Sequence, residues 1–132
     1  MNYTKLYEHL GYAFYAIAKA DGEIRKSEED RLTRDINRIW LPLENSTDSF
    51  RTDAAHYIFI AFDYLHEEQN TAEEAMELFA GFCHDNREEI TAEIREKILN
   101  TANAIADAYE GKNRAELEYL EKLKHILQSN PQ

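Results

Sequence analysis

The chain has 132 residues, of which one is cysteine, two are proline and four are glycine. The lone Cys83 excludes an internal disulfide and a zinc site built from several cysteines, which suits a reducing compartment. Four glycines exclude the glycine-rich phosphate-binding loops of the Rossmann and Walker types. With no segment that resembles a flexible linker, this length predicts a single domain over residues 1–132.

Long apolar runs are also missing. The longest covers residues 12–18, whereas a helix needs about 20 apolar residues to span a bilayer. Residues 1–10 lack the basic start and apolar block of a secretory signal. We therefore expect a cytoplasmic protein with no membrane span.

Positive charge is scarce, since 15 lysines and arginines face 26 acidic residues and the formal charge is −11. Residues 63–96 alone contain eleven acids against Arg87 and Arg95, a charge of −9. Such a field repels phosphate backbones, so nucleic-acid binding is not expected. The acids fit a solvated helical face. The functional alternatives are a docking surface for a basic protein partner and a concentrator of cations near a site.

Helical periodicity is what the sequence has in abundance. Apolar residues recur at intervals of three and four in residues 2–20, which predicts a first helix there. The same spacing predicts a second helix after Ser27 that ends at Pro42, and a third over residues 48–68. No strand is predicted, so the expected fold class is all-α.

Three more helices follow in the second half of the chain. Thr71 and Glu74 have the spacing of a capping box and predict the start of a fourth helix. An apolar stripe from Ile90 to Tyr109 predicts a long fifth helix. The segment 113–116 predicts the capped start of a sixth helix with leucines on one face.

An acidic loop joins the first two helices. Gly22 can adopt the left-handed conformation that ends a helix, and Ser27 is the predicted cap of the next one. Glu28 falls in its first turn, where the helix dipole favours negative charge.

This helix-loop-helix unit has a weaker copy near the other end of the chain. Residues 16–20 match residues 104–108 at an offset of 88, and Glu28 matches Glu116 at the same offset. The copy departs from the first unit in its loop, where Tyr109 and Glu110 replace the Asp-Gly pair. The sequence therefore predicts two related helix-loop-helix units whose loops differ.

The run Ala20-Asp21-Gly22-Glu23-Ile24, with Glu28 seven residues after Asp21, resembles the signature of the tellurite-resistance TerB-like domain. The same domain begins the DjlA-type co-chaperones. The resemblance implies a single compact helical domain of about six or seven helices, an acidic metal site and no established catalysis. The co-chaperone J-domain uses a His-Pro-Asp tripeptide that this chain lacks, so only the TerB-like part would be present.

The acidic loop is not an ordinary EF-hand. If Gly22 is aligned with the glycine of an EF-hand loop, Asp21 and Glu28 take ligand positions, but Ile17 and Lys19 fall where carboxylates are needed. A different site would combine Asp21 and Glu28 with carboxylates of the distant copy. Those candidates are Glu116 together with Asp107 or Glu110.

Carboxylate oxygens would favour Ca²⁺, Mg²⁺ or Mn²⁺ over zinc. The structural alternative is that Asp21 and Glu28 satisfy free amides at helix ends and hold the loop.

No enzyme is expected. The histidines never form the pairs that place two ring nitrogens on one helical face, and no serine or cysteine stands in a nucleophile turn. Two hypotheses follow. One is an acidic, divalent-metal-binding protein linked to tellurite, metal or general stress. The other is an interaction module of the co-chaperone type that docks a basic protein partner through its acidic face.

Overall fold

A computed structural model describes residues 2–40, 49–108 and 113–128, with side chains described in the middle range from residue 56 onward. Within these ranges the chain forms six α-helices and one π-helical segment, so the all-α prediction is confirmed. The helices are α1 (Tyr3–Lys19), α2 (Lys26–Asp35), α3 (Ser49–Glu67), α4 (Ala72–Asn86), α5 (Ala92–Asp107) and α6 (Arg114–Gln128), and the π-helical segment Ile36–Trp40 follows α2 directly.

Helix α1 lies at the centre of the fold. It packs against α3, α4, α5 and α6, and ten of its residues are buried. Its closest approach is to α3, at Gly11: a Cβ atom placed there would lie 2.7 Å from the Ala61 Cβ and closer still to the Ile58 carbonyl oxygen. Gly11 is therefore what allows the two backbones to touch.

The two related units pack against each other. The first helices of the two units, α1 and α5, are in contact, while α2 packs on α5 and α6 packs on α1. Each unit thus places its second helix on the first helix of the other. Residues 109–112, which hold Tyr109 and Glu110, lie outside the described residues.

The second predicted helix changes type along its length. Leu32 and Ile36 are buried as the apolar spacing predicted, but the α-helical hydrogen bonding ends at Asp35 and a π-helical turn carries the chain to Trp40. The Trp40 indole is fully buried, and its Nε1 donates to Thr101 Oγ1 at 3.1 Å. The predicted end at Pro42 and the polar loop after it lie outside the described residues.

Two of the predicted helix starts are confirmed in detail. Thr71 Oγ1 accepts from the Glu74 amide and Glu74 Oε1 accepts from the Thr71 amide, at 3.0 and 2.9 Å. Asn113 and Glu116 form the same reciprocal pair at 2.9 and 3.0 Å. These boxes satisfy amides that a helix start otherwise leaves without partners.

Two other starts were predicted wrongly. Helix α2 begins at Lys26 with Arg25 as its cap, and the buried Ser27 hydroxyl makes no hydrogen bond. The reason is that Glu28 Oε1 accepts from the Arg25 amide at 2.8 Å, which places the start two residues earlier. Helix α5 begins after Thr91, so Ile90 is buried but precedes the helix.

The eleven acidic residues of segment 63–96 are all exposed. The prediction of a solvated acidic surface is therefore confirmed. In the described part of the chain, no helix combines the length and apolarity that crossing a membrane requires.

Candidate functional site

The acidic loop turns at Gly22. Its φ of +93° is the left-handed conformation that glycine adopts without strain, and its amide donates to the Lys19 carbonyl at 2.7 Å, which closes α1. This is the role that the sequence predicted for Gly22. The turn places the Asp21 side chain beside the start of α2.

The Asp21 carboxylate accepts hydrogen bonds from several parts of the site. Its Oδ1 accepts from the Glu23 amide at 3.1 Å, and its Oδ2 accepts from Arg25 Nη1 at 2.9 Å. The same Oδ2 accepts from Asn113 Nδ2 at 2.8 Å, a bond between residues 92 positions apart. Asp21 therefore ties the loop of the first unit to the capping residue of α6.

Glu28 and Glu116 occupy equivalent places in the two units. Each is the third residue of its helix, and each accepts from the amide of its capping residue, Arg25 at 2.8 Å and Asn113 at 3.0 Å. Their side chains are almost completely buried, with 0% and 2% exposure. The two carboxyl groups face each other in the core.

The electrostatics of this pair are unfavourable to two negative charges. The pKa of Glu28 is raised to about 8: burial is the largest cause, the facing Glu116 and the nearby Asp21 carboxyl groups also raise it, and the hydrogen bond from the Arg25 amide lowers it. Two adjacent buried carboxylates cannot both ionise without a compensating positive charge. At neutral pH the pair of carboxyl groups therefore holds a proton.

Asp21 has the opposite tendency. Burial by itself would raise its pKa, but hydrogen bonds from Arg25, from the Glu23 amide and from Asn113 together lower it. Asp21 thus stays ionised beside a carboxyl pair that does not. The site therefore contains one ionised carboxylate, that of Asp21, and one pair of carboxyl groups, those of Glu28 and Glu116, that lacks a compensating positive charge.

The donor set fits a hard divalent cation in one respect. Glu28 Oε2 is buried and receives no hydrogen bond from a donor, and carboxylate oxygens are ligands that Ca²⁺, Mg²⁺ and Mn²⁺ prefer. In the residues that the structure describes, however, no three side chains of the His, Cys, Asp and Glu types converge in a ready-made ligand cage. A cation would also compete with Arg25 and Asn113 for Asp21 Oδ2.

Of the five predicted ligands, Glu28 and Glu116 face each other and Asp21 lies nearby, but the three do not converge on one point. Asp107 is the last residue of α5 and is exposed. Glu110 lies outside the described residues. The structural alternative for Asp21 and Glu28 is also observed, because both accept backbone amides at helix ends.

Sequence reasoning missed one residue of this site. Asn113 was predicted only as a cap, yet its side chain also donates to Asp21. Its spacing to Glu116 indicated the cap, but nothing in the sequence indicated that the cap faces the other loop.

Cys83 belongs to the core. It is buried on α4, and burial raises its pKa to about 12. Its side chain is therefore part of the hydrophobic core.

Comparisons with protein-family models, with characterised proteins and with solved structures gave no match. The TerB-like resemblance rests on the loop motif and its repeat alone.

Proposed function

We propose that the protein is a divalent-cation-binding domain of the TerB-like kind, with Glu28 and Glu116 as its central ligands. The observation that supports this is the buried Glu28 Oε2, which faces a second buried carboxyl group and receives no hydrogen bond from a donor. A buried charge of this kind needs a proton or a cation. A divalent cation would supply the missing positive charge to both carboxylates at once.

Cation binding would release a proton. Because the pair of Glu28 and Glu116 holds a proton at neutral pH and metal ligands must be deprotonated, binding becomes stronger as the pH rises. Asp21 would contribute indirectly. It holds the loop in place and accepts a hydrogen bond from Asn113. Since the two glutamates come from different helix-loop-helix units, a bound cation would join the two units.

The biological role that accompanies this proposal is inferred from the resemblance: a response to tellurite, metal or general stress. The proposal includes no catalytic step.

The decisive test uses chelator-stripped protein and follows thermal unfolding with millimolar Ca²⁺, Mg²⁺, Mn²⁺ or Zn²⁺. An ion present at 100 times its dissociation constant stabilises the fold by about 2.7 kcal/mol. We expect one hard cation to raise the midpoint in the wild type and to have no effect in Glu28→Gln or Glu116→Gln. A pH electrode in weakly buffered solution should record the released proton.

Glu74→Gln is the matched control, because Glu74 is the third residue of α4 in the same kind of capping box but is exposed. Its response to the cation should equal that of the wild type. A wild-type midpoint that no ion moves, between pH 6 and pH 9, would overturn the proposal and leave the glutamates as helix-end structure alone.

The second candidate function is a protein-interaction module for a basic partner. The eleven exposed acids of segment 63–96 support it, because a concentrated field of one sign attracts and orients partners of the opposite sign. A complex of this kind should survive a chelator, which separates it from cation binding.

A further inference from the structure

Most of the exposed large hydrophobic residues of the described structure lie on α3. Large hydrophobic residues that are at least 40% exposed number five in the described ranges. Tyr57, Ile60 and Tyr64 lie on one edge of α3, where residues three, four and seven apart share a face, and Leu78 lies on α4. The fifth, Leu117, is on α6.

A row of rings joins α1 to α4, and Tyr64 of α3 lies beside it. Burial is the largest cause of the raised pKa of Tyr12, and the nearby Glu8 and Tyr64 side chains contribute. The Tyr12 ring meets the edge of His9 at a centroid distance of 5.2 Å, and the His9 imidazole stacks on Phe82 at 4.3 Å with an angle of 13° between the planes. We call the surface formed by α1, α3 and α4 around this row the aromatic face.

A cavity opens at the α4 end of the aromatic face. Its volume is about 380 Å³, and Leu78 and Phe82 provide apolar walls beside the His9 ring. Glu77 and Asp85 stand at its rim, with Lys5 on the α1 side. A cavity with ring faces and two carboxylates suits an arginine side chain, because a guanidinium group stacks on rings and pairs with carboxylates.

The charge around the aromatic face is strongly negative. The described acidic side chains of α1, α3 and α4 are Glu8, Asp63, Glu67, Glu73, Glu74, Glu77 and Asp85, whereas their described lysines are Lys5 and Lys19. A second copy of this chain carries the same negative charge, so the field opposes pairing of the face with itself. A partner with apolar residues flanked by arginine and lysine is complementary to it in both respects.

We propose that the aromatic face docks a basic amphipathic helix of a partner protein, with one arginine in the cavity between α1 and α4. The inference rests on the second proposed function and gives it a location. Apolar residues of the helix would cover Ile60, Tyr64 and Leu78. Helix-in-groove recognition works through such apolar anchors at helical spacing, while flanking charges steer the encounter.

The proposal is testable with a labelled synthetic 18-residue helical peptide of leucine, alanine and arginine, in which the leucines form one stripe. Fluorescence anisotropy at 150 mM salt would measure its affinity for the full chain. Two further peptides separate the contributions: one replaces each leucine by serine, and the other replaces each arginine by lysine. We expect the serine peptide to bind at least tenfold more weakly and the lysine peptide to bind severalfold more weakly.

Variants on the protein locate the contact. Tyr64→Ser and Leu78→Ser change exposed side chains and should each weaken binding about tenfold. Leu117→Ser is the matched control on α6 and should leave affinity unchanged. For the charges, Asp85→Asn should reduce affinity more than Glu93→Gln, which removes an exposed acid of α5 outside the face.

Three results would overturn the proposal in different ways. No binding of any basic peptide would refute both the docking helix and the second proposed function. Binding that Glu93→Gln weakens as much as Asp85→Asn, with equal affinity for the serine peptide, would leave a diffuse acidic surface and refute the aromatic face as its location. A dimer in sedimentation that Tyr64→Ser dissociates would show that a second copy covers the face instead.

Discussion

Glu28 and Glu116 are 88 positions apart in the sequence, and their carboxyl groups face each other in the core. Each is held by the amide of the residue that caps its own helix. The contact therefore joins equivalent positions of the two helix-loop-helix units. The proposal of cation binding and the expected pH dependence of stability both follow from this contact.

Stability should depend on pH through Glu28. Its pKa is about 8 in the fold against 4.5 when unperturbed, so the folded state binds more protons than the unfolded state between these values. The stabilisation is therefore complete below about pH 4.5 and is lost as the pH rises to about 8. Urea unfolding of chelator-treated protein should show this loss in the wild type, and Glu28→Gln should flatten it.

Glu74→Gln is the control for that experiment. The Thr71 amide lowers the pKa of Glu74 in the fold, so its stabilisation is present above pH 4.5 and is lost only as the pH falls below that value. The substitution should change the acid end of the profile alone. If the stability of Glu28→Gln falls between pH 5 and pH 8 as steeply as that of the wild type, the pH dependence does not come from Glu28.

Replacement of Gly22 by alanine should destabilise the fold by about 1–2 kcal/mol, the penalty for a side chain in the left-handed conformation. A Cβ there meets no atom within 4 Å, so backbone strain is the only cause. Gly81→Ala is the control, since Gly81 is an exposed helical position on α4, also with open space around its Cβ.

Gly81→Ala should stabilise by about 0.5–1 kcal/mol, the usual gain of alanine over glycine in a helix. Chemical denaturation of the two variants measures both changes. If Gly22→Ala and Gly81→Ala change the free energy of unfolding equally and with the same sign, the backbone conformation at Gly22 imposes no strain on alanine.

Gly11→Ala should be more damaging, by about 1–3 kcal/mol or more, because the new methyl group overpacks the contact between α1 and α3. The neighbouring groups are the Ala61 Cβ at 2.7 Å and the Ile58 carbonyl oxygen, and the backbone carbonyl cannot rotate away. Adding Ala61→Gly should restore part of the stability, measured as a coupling energy in a double-mutant cycle. Strict additivity of the two changes would mean that the helices do not touch at this point.

Thr101→Val should cost about 1–3 kcal/mol, since it keeps the shape of the side chain and leaves the buried Trp40 Nε1 without an acceptor. Thr101→Ser keeps the hydroxyl and should cost less. Trp40 is the single tryptophan, so its fluorescence reports the change directly during urea unfolding. Identical midpoints for the valine and serine variants would show that the 3.1 Å bond adds nothing to stability.

The helix starts show how far local chemistry can be predicted. Thr71 with Glu74, and Asn113 with Glu116, are bonds between residues three apart, so the sequence contains both partners and their spacing. The prediction of Ser27 as a helix cap was wrong for a related reason. Serine is a good cap in general, but the Glu28 carboxyl group selected the amide three residues before it, and a capping preference cannot rank such competitors.

The candidate site was predicted in part. The motif and its repeat named Asp21, Glu28 and Glu116, of which Glu28 and Glu116 face each other and Asp21 lies nearby. The repeat also suggested Asp107, which is exposed. Spacing alone does not distinguish the two outcomes, because both residues lie near a helix end in the second unit and only the packing of the units decides which one turns inward.

The sequence by itself determined the all-helical class, the apolar stripes, the left-handed turn at Gly22 and the two capping boxes. All of these depend on residues within about one helical turn of each other, where backbone geometry fixes which groups meet. Only the tertiary structure decided that Glu28 faces Glu116, that Asn113 donates to Asp21, and that the rings of α1, α3 and α4 form one surface. Those contacts depend on how stripes from distant parts of the chain pack together, and the hydrophobic effect that drives the packing is not directional.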